Sequence, residues 1–370
     1  MWCRRVAGGQ YAAVLLAGGV ARAVVEVCWS AHHAELWHLD DAGRRYRGVS
    51  YRRWPDDRLR LFEVRSWNYA ERDTPEFDGD RPTFQAHVSR DRAAAADRIE
   101  ISAVLRDGRT LRTSRDWPDW PERTRPPEEL AVPAVGGWAR LLGMTGPLTV
   151  RPGPAAVPGT FPWQPPRPLR PHLVGEMVTE GARLRTEDGR TPTIERLPAG
   201  TIRLPSGTLV VADPAWLDAD SRPLAVRVPP GEYPVDAFRA VENGTGLTVA
   251  CRVTVTDAPV ASWQLALLDG DHELDLGDGE FFGNPVDTAT VGLVDRRGAT
   301  AYPADEIEAH MGSATPYQVL ADRKTGTNLV IVPGTSDGAY PVWLGRAADG
   351  TLSCYVLDFL EPDMRTAEPA

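Results

Sequence analysis

The sequence nearly lacks lysine. Lys324 is the only lysine among 41 Lys and Arg residues, so almost all cationic charge is arginine. With abundant Ala, Gly and Pro, this bias is typical of a GC-rich bacterial genome, and arginine content alone is therefore poor evidence for anion sites. The formal net charge is -10 and the sequence pI is near 5.3. Broad nucleic-acid binding needs an excess of Lys and Arg to replace counterions, so we expect no nucleic-acid partner.

Cysteine is also scarce. The four cysteines, Cys3, Cys28, Cys251 and Cys354, are too few and too scattered for a disulfide framework or a paired-cysteine zinc site. Cys251 and Cys354 lie in apolar alternating stretches, where a thiol usually serves as a small buried hydrophobe. The sequence therefore predicts reduced cysteines, a cytoplasmic location, no metal and no cofactor.

Long hydrophobic runs are missing, so no segment is predicted to cross a bilayer and no membrane partner is expected. The amino terminus resembles a secretory signal, because Arg4 and Arg5 precede an apolar run. Gly18 and Gly19 split that run, and a hairpin over residues 11–29 explains the same pattern without processing. Cleavage near residue 23 is the alternative.

Common catalytic motifs are absent as well. The sequence contains no Gly-x-Ser-x-Gly elbow, no local signature of a reactive cysteine and no glycine-rich phosphate loop. These absences remove the most frequent enzyme classes without excluding an enzyme.

The length of 370 residues exceeds what one hydrophobic core usually supports. Period-two alternation between turn signals dominates both ends of the chain, and prolines recur from Trp117 to Pro171. We predict a mainly β fold with a few short helices, in two antiparallel β-rich domains that are sandwich- or barrel-like. The predicted parts are an amino-terminal domain (1–117), a proline-rich junction with one short helix within 128–142 (118–171), a carboxy-terminal domain (172–360) and a solvated tail (361–370).

Strands of the carboxy-terminal part are predicted at 200–204, 208–212, 224–228, 247–255, 263–268, 290–294, 328–332 and 352–359, with a helix at 304–312. Asp-Gly pairs recur between them, at Asp269-Gly270, Asp278-Gly279, Asp337-Gly338 and Asp349-Gly350. Asp and Gly tolerate positive φ and close hairpins, so each pair predicts a tight turn.

Several short segments occur in a fixed order between about Gly207 and Phe359. They are GTLVVADP (207–214), VPPGEYPV (228–235), WQLA (263–266), VD at 286–287 and 294–295, SDGAYPVWLG (336–345) and LDF (357–359). In this order and spacing they resemble the bacterial family called domain of unknown function 4241. The family usually has glycine where Ser336 and Ala289 stand, and the resemblance implies no activity.

Acidic residues at predicted strand ends are the main site candidates. Convergent carboxylates can bind a divalent cation or divide into an acid and a base, whereas Asp before Gly or Pro is ordinary turn chemistry and is the default interpretation. A tight turn over 336–340, in which Gly338 permits backbone conformations that other residues resist, would place Asp337 and a tyrosine hydroxyl beside a cleft. The candidate residues are Asp213, Asp287, Asp295, Asp337, Tyr340 and Asp358.

Histidines and tryptophans offer weaker candidates. His32, His33 and His38 lie near Glu35 and Asp40, but Glu35 and His38 alternate across a strand and no zinc-protease spacing is present. His272 and His310 are isolated. Six tryptophans enrich the amino-terminal part, where we expect most to be core residues and the alternative is a binding surface; they are Trp29, Trp37, Trp54, Trp67, Trp117 and Trp120.

Two function classes therefore remain open. The first is a non-enzymatic binding or interaction protein of accessory or immunity type, with a protein partner. The second is a metal-assisted hydrolase that uses the aspartates. The two classes differ in one structural requirement, because only the hydrolase needs the aspartates to share one pocket.

Overall fold

The computed structural model describes residues 2–6, 10–69, 71–77, 84–91, 98–105, 110–113, 126–144, 149, 151–152, 168–186, 188–311, 318–359 and 368–369. The chain divides into two compact units, Met1–Pro166 and Arg167–Ala370. Both are mainly β with a few short helices, and their antiparallel sheets give the sandwich- or barrel-like character that the sequence predicts.

One large sheet makes up most of the first unit. Its strands are β1 Trp2–Val6, β2 Gln10–Ala17, β3 Val20–Cys28, β4 His33–Leu39, β5 Arg45–Arg53, β6 Arg58–Ser66, β7 Phe84–Asp91, β8 Arg98–Leu105, β9 Thr110–Thr113, β10 Glu129–Ala131 and β11 Arg151–Pro152. Their order in the sheet is β11-β1-β2-β3-β4-β5-β6-β7-β8-β9, with β10 paired to β6, and all pairs are antiparallel except β1–β11.

The first hairpin confirms the predicted use of the initial apolar run. Strands β2 and β3 pair from Gln10 and Cys28 to Ala17 and Val20. Gly18 and Gly19 both have positive φ, at 59° and 84°, as the favoured two-residue hairpin turns require.

The apolar face of the first sheet packs under a short helix, α1 (Trp138–Leu141), which follows a 3-10 turn at Val135–Gly137. Trp138 is fully buried, and its Nε1 donates to the Tyr11 hydroxyl at 2.8 Å. Helix α1 and β10 both lie within the segment 118–171, so part of the predicted junction packs in the first unit. The predicted domain boundaries themselves remain a prediction.

Two sheets share the main core of the second unit. The strands of this unit are β12 Leu184–Arg185, β13 Thr193–Leu204, β14 Leu209–Ala212, β15 Gly231–Glu242, β16 Thr245–Thr254, β17 Ser262–Leu265, β18 Asn284–Val286, β19 Thr290–Asp295, β20 Gln318–Ala321, β21 Asn328–Pro333, β22 Gly338–Tyr340, β23 Val342–Arg346, β24 Leu352–Asp358 and β25 Glu368–Pro369. The larger sheet has the order β13-β15-β16-β24-β23-β17 and the smaller sheet has the order β14-β19-β21-β20. Two further pairs, β18-β22 and β12-β25, form two-stranded ribbons.

Two strand predictions in this unit need correction. The segment 224–228 forms no strand and has only an isolated bridge between Leu224 and Leu268. Sequence patterns missed β15, because Pro234 argues against a central strand. Pro234 is tolerated there because it pairs only with Thr201 of β13, and pairing with β16 starts one residue later, at Val235.

Helices are short throughout the described residues. They are α1, α2 (Val174–Met177) and α3 (Ala304–Met311), and α3 confirms the helix predicted at 304–312. None of the helices in the described part of the chain is long and apolar enough to cross a membrane.

Part of the predicted solvated tail forms a ribbon. Within that tail, Glu368–Pro369 pair with Leu184–Arg185, so these two residues are part of a ribbon and not a solvated end.

The described cysteines are free thiols in buried positions, at Cys28, Cys251 and Cys354. Burial raises the pKa of Cys251 to about 12 and that of Cys354 to about 11. Both thiols therefore act as small core side chains, as predicted. The side chain of Cys3 lies outside the described residues.

Candidate functional site

Asp213 is completely buried at the end of β14. Its Oδ1 accepts the backbone N–H of Ala215 at 2.9 Å and begins the 3-10 turn Pro214–Trp216. Its Oδ2 accepts the backbone N–H groups of Asp287 at 2.8 Å and Thr288 at 2.9 Å, and the Thr288 hydroxyl at 2.9 Å. Because a carboxylate has about four acceptor sites, these four hydrogen bonds make Asp213 a structural anchor for the loop 287–289.

Asp287 and Asp337 lie at the end of the β18–β22 ribbon. Val286 and Gly338 form the last pair of the ribbon, and Asp287 directly follows that pair while Asp337 directly precedes it. Both are exposed. Asp337 accepts the backbone N–H of Ala289 at 3.1 Å, whereas the Asp287 carboxylate makes no hydrogen bond or ion pair with any described residue.

Asp295 belongs to the opposite end of the smaller sheet. It pairs with Leu209, whereas Ala212, which precedes Asp213, pairs with Gly292. Four strand positions, or roughly 13 Å, therefore separate the two aspartates along the sheet. The buried Asp295 carboxylate accepts hydrogen bonds from the backbone N–H and hydroxyl of Ser206 and from the backbone N–H of Arg297.

Asp358 and Tyr340 are also committed to local structure. Asp358 ends β24 in the larger sheet and accepts the Trp343 Nε1–H at 3.0 Å. The Tyr340 hydroxyl donates to the Ser336 carbonyl, and its ring meets Phe359 edge-on with centroids 5.0 Å apart. Tyr340 thus closes the turn that carries Asp337.

Gly338 does not use the backbone freedom that glycine provides. Gly338 does not have positive φ and begins β22, whereas Gly270, Gly279 and Gly350 of the other Asp-Gly pairs do have positive φ. The left-handed residue of this region is Ala289, with φ of 47°, which stands where the related family usually has glycine.

The structure therefore gathers Asp213, Asp287 and Asp337 and leaves Asp295 and Asp358 elsewhere. We call Asp213, Asp287, Asp337 and the nearby Trp216 the acidic corner. Trp216 lies three residues after Asp213, donates its backbone N–H to the Asp213 carbonyl at 3.0 Å, and is 49% exposed. Among the described residues, no group of three or more His, Cys, Asp or Glu side chains is arranged to hold a metal ion.

The histidine cluster also separates. His32 is a left-handed turn residue with φ of 54°, and Asp40 accepts backbone N–H groups of its own hairpin. In the second unit, His272 caps the turn Glu273–Asp275 through its Nδ1. The side chain of His310 lies outside the described residues.

Sequence reasoning missed one pair in this cluster. His33 and Glu35, two residues apart on β4, are both buried on the same face, with Nε2 and Oε2 3.7 Å apart. The i, i+2 spacing was the available signal. Burial lowers the pKa of His33. Burial acts to raise the pKa of Glu35, but the nearby His33 and Arg65 together outweigh burial and lower it.

A second glutamate lies directly across from this pair. Glu26 on β3 is in register with Glu35 and accepts the Trp37 Nε1–H at 3.0 Å. Burial, and then the charge of Glu35, raise the pKa of Glu26.

Of the tryptophans in the amino-terminal part, Trp37 and Trp54 are buried, while Trp29 and Trp67 are partly exposed. Trp117 and Trp120 lie outside the described residues.

The fold and these sites define a mainly β protein whose second unit holds a two-sheet core and an acidic corner. Residues 202–357 match the family model described as "Protein of unknown function (DUF4241)". This match confirms the resemblance of the carboxy-terminal segment. No curated protein and no solved structure matches the chain.

Proposed function

We propose that the protein is a non-enzymatic binding protein of accessory or immunity type, and that its acidic corner engages a basic segment of a protein partner. The observation that carries this proposal is the exposure of two carboxylates, Asp287 and Asp337, at the end of one ribbon. Buried Asp213 holds the backbone of Asp287 and Thr288, and Asp337 accepts the N–H of Ala289 in the same loop. A fixed pair of carboxylates suits the planar fork of an arginine side chain.

Trp216 supports the same proposal. Its half-exposed ring lies at the end of the turn that Asp213 caps, and tryptophan is enriched at the energetic centres of protein interfaces. The net charge of -10 also favours encounter with basic partners.

The alternative hydrolase has weaker support from the geometry. A metal-assisted mechanism needs several oxygen ligands around one ion. Asp213 already accepts four hydrogen bonds, and Asp295 and Asp358 lie at other places in the sheets. Asp287 and Asp337 are then the only two of the five carboxylates left to act together.

Selection from a random heptapeptide display library tests the proposal. We expect the wild-type protein to enrich arginine-containing peptides, and the double variant Asp287→Asn/Asp337→Asn to lose this enrichment. Asn keeps the size of Asp and removes its charge, so the variant should fold normally.

Asp349→Asn is the matched control, because Asp349 is an exposed aspartate in an Asp-Gly turn elsewhere in the same unit. Equal enrichment by the double variant and the wild type, or no enrichment by the wild type, would overturn the proposal.

A further inference from the structure

Three aromatic rings form a cluster on the polar face of the first sheet. Trp37 of β4, Trp67 after β6, and Phe77 have ring centroids 5.9 Å (Trp37–Trp67), 4.6 Å (Trp67–Phe77) and 6.0 Å (Trp37–Phe77) apart. Two guanidinium groups lie against these rings. That of Arg45 is 5.1 Å from the Trp37 centroid and 4.6 Å from that of Phe77, and that of Arg65 is 5.2 Å from Trp37.

Carboxylates surround the same rings. Glu76 accepts Nε and Nη2 of Arg45 at 2.9 and 3.0 Å, a bidentate pair. Glu35 pairs with Arg65, and Glu26 bonds to Trp37. The cluster thus combines aromatic faces and carboxylates, the two features that recognise a guanidinium group.

Two buried polar atoms of the cluster make no hydrogen bond with the described residues. They are Oε2 of Glu35, whose side chain is 1% exposed, and Nε1 of Trp67. The His33 Nε2 atom lies 3.7 Å from Glu35 Oε2, beyond hydrogen-bond distance. Since buried polar atoms are nearly always bonded, the cluster has acceptor and donor capacity beyond what Arg45 and Arg65 use.

Arg45 closes the cluster on the solvent side. Its side chain is 37% exposed, whereas Trp37 beneath it is 4% exposed. The hydrogen bonds that Arg45 donates to Glu76 raise the pKa of Arg45, and the charges of Glu26 and Glu35 act in the same direction. Arg45 is therefore a cation that the surrounding carboxylates hold, and it lies where a ligand from solvent would enter.

We propose that Trp37, Trp67, Phe77, Glu26, Glu35 and Glu76 form a guanidinium-recognition site, which Arg45 occupies as an internal ligand and which an arginine side chain of a partner protein takes when Arg45 withdraws. This site is independent of the acidic corner, which belongs to the other unit. While Arg45 occupies the site, an external arginine cannot bind. The apparent association constant of an external arginine is therefore its intrinsic value multiplied by the fraction of molecules in which the site is open.

Removal of the internal ligand tests the proposal. In Arg45→Ala, the probe N-acetyl-arginine methylamide should bind at least about tenfold more tightly than to the wild type, which corresponds to about 1.4 kcal/mol. It should also bind about tenfold more tightly than N-acetyl-lysine methylamide, because an ammonium group lacks the planar fork. Quenching of tryptophan fluorescence and isothermal titration calorimetry would measure both.

The controls separate recognition from packing. Arg22→Ala removes an exposed arginine paired with Asp41 on the same sheet and should leave probe binding at the wild-type level. Glu76→Gln added to Arg45→Ala should weaken binding again. Arg45→Met, which keeps the apolar stem, provides the same test if Arg45→Ala does not fold. If folded Arg45→Ala or Arg45→Met shows no arginine-selective binding up to about 10 mM probe, the cluster is packing only and the proposal fails.

Discussion

At the scale of single residues, Ala289 shows how backbone strain can mark a turn. Its φ of 47° is a conformation that costs a non-glycine residue roughly 1–2 kcal/mol. Hydrogen bonds hold it there, because its N–H donates to Asp337 at 3.1 Å and its carbonyl accepts the Gly334 N–H at 2.7 Å. The acidic corner thus depends on a residue that the sequence pattern alone does not mark as strained.

We expect Ala289→Gly to stabilise the protein by about 0.5–1 kcal/mol, since relief of the left-handed strain exceeds the added entropy of the unfolded chain. The melting temperature should rise by roughly 1–3 °C in differential scanning calorimetry. Ala348→Gly, at an exposed position without positive φ, should have no stabilising effect. A melting temperature at or below the wild-type value for Ala289→Gly would show that the loop is not strained.

His38 gives the first unit a pH dependence. Burial, with a smaller effect from the charge of Arg47, lowers the pKa of His38 from 6.5 to about 4. Between pH 6.5 and 4 the unfolded chain therefore binds a proton that the folded chain does not, and the free energy of unfolding falls as the pH falls. Glu26, with its raised pKa, acts in the opposite direction.

A comparison with His38→Gln isolates this contribution. Between pH 6.5 and 4, the free energy of unfolding of the wild type should fall by about 2–3 kcal/mol more than that of the variant. Urea unfolding, followed by hydrogen exchange in β3–β5, would measure this difference. The exposed His172→Gln is the control. Parallel pH profiles for the wild type and His38→Gln would contradict the assignment.

At the scale of secondary-structure elements, an asparagine joins the two sheets of the second unit. Asn328, which begins β21, is 3% exposed. Its Oδ1 accepts the backbone N–H of Arg203 at 2.7 Å, and its Nδ2 donates to the carbonyl of Thr201 at 2.6 Å. One side chain therefore satisfies the outer edge of β13, where an open strand would otherwise expose unpaired backbone groups.

Replacement of Asn328 by Ala should cost about 2–4 kcal/mol, because it leaves a backbone donor and a backbone acceptor of β13 without partners. Urea unfolding monitored by circular dichroism would measure this loss. Gln264→Ala, which removes an exposed amide bonded to Arg346, should cost less than about 0.5 kcal/mol. Similar losses for the two variants would mean that the Asn328 bridge adds no stability.

At the scale of the whole molecule, the two units have separate hydrophobic cores. Residues from β2 to α1 form the core of the first unit, and the three clusters of the second unit begin at Leu173. A proline-rich stretch lies between these cores in the sequence, and prolines interrupt regular pairing. Each core therefore belongs to one unit.

Limited chymotrypsin digestion of the full chain should first cut between about Val150 and Pro171, where Trp163 and Leu169 provide sites that no proline follows directly. Mass spectrometry of the earliest fragments would locate the cut. A first cleavage within residues 247–255 would contradict the division, since β16 is a central strand of the larger sheet.

Local patterns in the sequence determined the β class, the first hairpin with Gly18 and Gly19, helix α3 and the match of residues 202–357 to a family model. Alternation, turn residues and ordered motifs depend only on neighbours along the chain. Only the tertiary structure decided which aspartates meet. Asp213 and Asp287 are 74 positions apart, and the hydrogen bond that joins them depends on strand register. Register also decided that β15 accepts Pro234, that Glu26 lies opposite Glu35, and that Arg45 covers Trp37. The register of a sheet arises from packing between distant strands, so no short segment of the sequence encodes it.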